Sequence, residues 1–177
     1  MEDREGFDRA YGLDSGAFVN EADPGTLYVA GTKSMRDVWD DLKIPFGMTS
    51  RADRYQQADR VLDASPQIRR VVGRSLGGAV ALELAKRHPE RQLETETYGA
   101  PVVSLSGSSG KRHRNRKDPV SMLDFGATTE LNFGGNPHSY QNLGGRKGGG
   151  RYRKEVTHTN LKSITVLFRA IFEWKSR

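Results

Sequence analysis

Apolar positions along the chain alternate between two spacings, and each change of spacing marks an element. TLYVAGT, residues 26–32, is β-branched and aromatic and predicts a buried strand. In RADRYQQADRVLDA, residues 51–64, apolar side chains return at Ala52, Tyr55, Ala58 and Leu62, the period of an amphipathic helix. SPQ stops that helix, and IRRVVG, residues 68–73, reverts to a strand pattern. LGGAVALELAKRH, 76–88, is helical again, with Lys86 and His88 where positive charge suits the helix dipole and Pro89 as a stop beyond. QLETETYGAP, 92–101, alternates like a strand, and RHRNRKDPVSML holds another, with Asp118 near its end. Strands alternating with helices predict an α/β fold, a mostly parallel sheet flanked by helices.

The stretches between these elements are more polar. Residues 1–25 read as a polar N-terminal segment closing in the turn signal ADPG, and DVWDDL (37–42) as a short helix. SLSGSSGK reads as a loop, as does the glycine-rich run from Gly126 to Gly150. Residues 26–145 would form the core, 146–158 a basic glycine-rich linker, and 159–177 a C-terminal amphipathic helix packed on that core. This helix sets Leu161, Ile164, Leu167, Phe168, Ile171 and Trp174 on one face.

Composition narrows the chemistry. The 177 residues suit a single domain, and the lack of cysteine excludes disulfides, thiolate metal ligands and a cysteine nucleophile. MEDREGFDRAYG is charged without an apolar core, so it does not resemble a signal peptide, and no apolar run is long enough to span a bilayer. A soluble protein, intracellular or associated with a virion, is the expectation. The net charge of +6 is unevenly placed: residues 1–63 carry 13 acids and 8 bases, residues 143–177 carry 9 bases and 2 acids, and KRHRNRK (111–117) adds five bases. Such asymmetry points to an anionic partner, either a phospholipid surface or, second to it, nucleic acid.

Gly73-Arg74-Ser75-Leu76-Gly77 fits the G-x-S-x-G nucleophile elbow, and it stands where the motif requires, between a strand and a helix. There the serine hydroxyl projects above the sheet, and the N–H of the next residue, Leu76, faces a developing oxyanion. Such a serine needs a base and an orienting carboxylate, which follow it in the order acid, then histidine. Asp118, Asp124 and Glu130 are the acids within reach, and His138 and His158 the histidines. Asp118 is favoured because a strand-like run ends at it, and His138 because PHSY sits in a glycine-rich loop able to fold over the sheet edge. His158 reads as a helix-entry residue, and His113 lies in a basic run that disfavours a neutral imidazole.

Four segments in order resemble the class 3 lipase family of α/β-hydrolases, LYVAGTKSMRDVWDDL, VVGRSLGGAVALELA, TYGAP and NRKDPV; with His138, which stands where that family's triad histidine is expected, the resemblance covers roughly residues 26 to 143. The resemblance implies a small α/β-hydrolase-like fold and a lipid-ester hydrolase, an acylglycerol lipase or phospholipase, without metal or organic cofactor. It implies Ser75 as nucleophile, Asp118 as orienting carboxylate and His138 as general base, with Thr32 beside Leu76 in the oxyanion hole. Arg74 stands where the family usually has histidine, either a permanent cation under the elbow paired with a carboxylate such as Glu96 or a change in local packing. The competing expectation is a non-catalytic protein of lipase fold, a binding module or virion component gripping nucleic acid or anionic membrane through its basic segments.

Overall fold

The computed structural model describes residues 3–31, 48–101, 110–115, 118, 129–131 and 154–155. In chain order these form α1 (Asp3–Gly12), β1 (Ala17–Asn20), β2 (Asp23–Val29), α2 (Met48–Ala64), β3 (Arg70–Arg74), α3 (Leu76–Arg87), a 3₁₀ turn (Pro89–Arg91), β4 (Glu94–Tyr98), β5 (Gly110–Asn115), β6 (Thr129–Leu131) and β7 (Lys154–Glu155). The strands lie side by side in sequence order in one sheet. β2 to β6 run parallel, and β1 and β7 pair antiparallel at the two edges. The architecture is α/β, as the alternating pattern predicts.

Strand alternation sorts the core into two layers. Leu27, Val29 and Val71 face one way and pack with Ala58 and Leu62 of α2 and Val80, Ala81 and Leu84 of α3. Tyr28, Ala30, Val72 and Tyr98 face the other way and pack with Phe7 and Ala10 of α1. Both faces of the parallel sheet are therefore covered, as its two-sided apolar pattern requires. Leu62 is fully buried in the first layer. Leu62→Ala is expected to cost about 3 kcal/mol, read from the urea midpoint at unchanged slope.

α1 and β1 correct the expectation of a polar segment over residues 1–25. Phe7, Ala10 and Tyr11 recur at helical spacing, but the charges of Asp3, Arg4, Glu5, Asp8 and Arg9 around them mask the stripe. The ADPG signal does not turn the chain, because β2 already starts at Asp23. Likewise β6 falls inside the stretch expected to be loop, and β7 inside the expected linker. Their pairing is supplied by a neighbouring strand edge rather than by any pattern of their own. The expected helices at 37–42 and 159–177 lie outside the described residues. No helix among the described residues is long and apolar enough to cross a membrane.

A half-buried polar network clamps α1 to the sheet. The Asp3 carboxylate accepts two hydrogen bonds of 3.0 Å from the Arg70 guanidinium, one from the Tyr28 hydroxyl at 3.3 Å and one from Tyr98 at 3.2 Å. Glu96 accepts from Arg70 at 2.8 Å and shares the single Tyr98 hydroxyl proton with Asp3, at 2.9 Å, and His113 Nε2 lies 3.0 Å from the same oxygen that Tyr98 reaches. His113 also stacks on the Tyr98 ring, 4.7 Å between centroids. The hydrogen bond from His113, aided by those from Arg70 and Tyr98, outweighs burial and holds the Glu96 carboxyl down to about 2. Burial, with Asp3 adjacent, pushes the Tyr28 phenol up to about 12.

This sets a pH dependence whose sign follows from linkage. The Glu96 value is lower when folded than its ordinary 4.5, so its stabilisation is complete above that value and drains as pH falls towards about 2. Urea midpoints should fall steeply over this window for the wild type and less steeply for Glu96→Gln, which has no carboxyl to protonate.

Candidate active site at the strand-to-helix elbow

Ser75 is the single residue between the end of β3 and the start of α3. Its backbone sits at φ 52, ψ −127, a region that L-residues rarely occupy and that costs on the order of 1–3 kcal/mol. Neighbours hold it there. Its N–H donates to the Tyr98 carbonyl of β4 at 2.9 Å, and its own carbonyl accepts the Gly78 N–H at 2.9 Å. The Ser75 Oγ is buried and has no hydrogen-bond partner among the described residues. Nor does the side chain cap the helix it precedes. A buried hydroxyl without a partner is unfavourable, so the fold gains nothing from the group itself.

The glycines of the motif answer to space. A Cβ on Gly77 would lie 2.2 Å from the Val29 carbonyl oxygen, and one on Gly73 would lie 2.3 Å from the Gly77 carbonyl oxygen. The end of β2 closes on the elbow from the side: a Cβ on Gly31 would lie 2.8 Å from Ser75 Cβ and 3.2 Å from the Leu76 nitrogen. Leu76 opens α3, so its N–H belongs to the first turn, where backbone donors have no intrahelical acceptor and the dipole favours negative charge. Thr32 lies outside the described residues, but it directly follows Gly31 in the chain.

Asp118 is fully buried, three residues past the end of β5. Because β3, β4 and β5 are parallel, Ser75 and Asp118 both follow strand ends at one edge of the sheet. One strand separates their own, which sets those ends about 10 Å apart. β6 also ends at this edge, at Leu131, seven residues before His138, which itself lies outside the described residues. Of the other candidates, Asp124 and His158 lie outside the described residues, Glu130 falls in β6, and His113 is engaged with Glu96.

Two features depart from what the sequence suggested. Glu96 is held by Arg70, Tyr98 and His113, while the Arg74 guanidinium lies over the Tyr11 ring, 5.4 Å from its centroid. Arg74 is at the far end of β3 from Arg70 and meets α1 through Tyr11. Tyr11 itself was not singled out by sequence reasoning. The signal available for it was the spacing of Phe7, Ala10 and Tyr11 within the charged N-terminal segment.

Elsewhere, Asp59, Asp63 and His88 bring potential ligand atoms within 4.8 Å of one another. His88 Nε2 is 2.6 Å from Asp59 Oδ1 and Nδ1 is 3.3 Å from Glu90 Oε1, so the imidazole is already engaged on both nitrogens. A depression of about 580 Å³ lined by Pro66, Arg69, Glu90, Arg91 and Gln92 opens where β3 and β4 begin, at the edge opposite Ser75. No protein-family model matches the chain, and no curated protein matches it.

Proposed function

We propose that the chain is a serine hydrolase that cleaves carboxylic esters of lipids, with Ser75 as nucleophile, Asp118 as orienting carboxylate and His138 as general base. The observation that carries this reading is the Ser75 backbone at φ 52, ψ −127 with its hydroxyl buried and without a partner among the described residues. A turn serine has no reason to hold a strained conformation and forgo a hydrogen bond, whereas a nucleophile kept for a base and a substrate has both reasons. The burial of Asp118 at the same sheet edge supports the second member.

In this mechanism the Ser75 oxygen attacks the ester carbonyl while its proton passes to the His138 imidazole, which Asp118 orients. The carbonyl oxygen becomes an oxyanion and takes hydrogen bonds from the Leu76 N–H and from Thr32, through its backbone N–H or hydroxyl. Collapse of the tetrahedral intermediate breaks the ester bond, the leaving alcohol receives the proton from His138, and Ser75 carries the acyl group. Water, deprotonated by the same imidazole, then attacks the acyl-enzyme; the acyl–oxygen bond breaks, His138 returns the proton to the departing Ser75 oxygen, and the fatty acid is released. A lipid is favoured over other esters by the four segments resembling class 3 lipases and by the basic residues 143–177, suited to an anionic phospholipid surface.

A fluorophosphonate probe tests the assignment directly. It is expected to label the wild-type chain at Ser75 and to leave Ser75→Ala unmarked. An unlabelled wild type that retains DNA in a salt-dependent manner would turn the reading to the non-catalytic binding module.

A further inference from the structure

We infer that Tyr11 is a positioning residue for the oxyanion side of the elbow, an inference that rests on the hydrolase reading above. The Ala30 N–H just past β2 donates to the Gly16 carbonyl at 2.8 Å. The next donor, the Gly31 N–H, leaves the backbone network and donates to the Tyr11 hydroxyl at 3.1 Å. Tyr11 therefore takes over where backbone pairing ends, at the residue packed against Ser75 Cβ and the Leu76 nitrogen.

Glycine at this point carries no Cβ to limit rotation, so the Ala30–Gly31 peptide, beside Ser75 Cβ and the Leu76 nitrogen, depends on that hydrogen bond for its direction. A donor aimed at a developing oxyanion works only when its direction is set before reaction. The tyrosine is itself well held. Arg74 lies over its ring, and α1 is tied to the sheet by the Asp3–Arg70 pair and by edge contacts of Phe7 with Tyr28 and Tyr98, 5.9 and 6.0 Å between centroids. The arginine before the nucleophile thus acts through Tyr11: it steadies the ring whose hydroxyl steadies Gly31.

Tyr11→Phe in the full chain separates this role from packing, because the ring stays under Arg74 and only the acceptor is lost. With a p-nitrophenyl ester, kcat is expected to fall about tenfold with KM held, the size of one neutral hydrogen bond. Amide exchange at Gly31 is expected to quicken about tenfold by NMR, with the melting temperature little changed. An active wild type whose kcat survives Tyr11→Phe, whose loss falls on KM alone, or whose Gly31 exchange is unmoved would overturn the inference. A wild type inert to both the ester and the fluorophosphonate overturns the hydrolase reading itself, and this inference with it.

Discussion

Ser75→Ala is expected to lower kcat for ester hydrolysis by about 10⁶, the scale on which loss of a triad nucleophile is felt. Ser75→Gly should be equally inactive, yet it should raise stability by about 1 kcal/mol. The two signs come from one conformation. At φ 52, ψ −127 a side chain is strained, and glycine relieves that strain at a smaller cost in unfolded-state entropy. Alanine keeps the Cβ and most of the strain, but it removes a buried hydroxyl that has no partner among the described residues. Its stability should therefore match or slightly exceed that of the wild type. Michaelis–Menten kinetics and urea unfolding of the three proteins check both halves. An Ser75→Ala protein that still hydrolyses esters through its purified active fraction would remove Ser75 from the mechanism, whatever its stability.

A residue that weakens the fold while serving chemistry is the pattern expected where function has been selected over stability. The Ser75 elbow was legible in the sequence because its residue types are forced by space and charge rather than by preference. Gly73, Ser75 and Gly77 stand between a β-branched run and a helix-forming run, and few local structures need that order. The position of Asp118, buried just past β5, was legible for a related reason: a strand-like run leads up to it, and a proline follows. What the sequence concealed depends on partners distant in the chain. Arg70 and Arg74 look alike within β3, but only contact with α1 decides that Arg70 meets Asp3 and Glu96 while Arg74 meets Tyr11. The helix that makes this choice was itself hidden, because its buried stripe is three residues wide in a field of charge. β6 and β7 are three and two residues long, too short for any period to register.

Gly77→Ala is expected to destabilise the protein by about 3 kcal/mol, lowering the melting temperature by roughly 10 °C. The added methyl would lie 2.2 Å from the Val29 carbonyl oxygen and 2.7 Å from that of Ala30, and backbone atoms in a strand end cannot swing aside. α3 must back away from β2, carrying the Leu76 N–H with it, so hydrolysis per folded molecule should fall as well. Gly12→Ala provides the contrast. Gly12 closes α1, its φ is not positive, and nothing lies within 4 Å of a Cβ built there. Alanine at that position should be neutral or stabilise by up to about 1 kcal/mol through helix propensity alone. Differential scanning calorimetry on the pair distinguishes close approach at the elbow from a general intolerance of glycine replacement. If Gly77→Ala melted with the wild type, α3 would not be pressed on β2. The close fit that sets the Leu76 nitrogen beside Gly31 would then lose its physical cause.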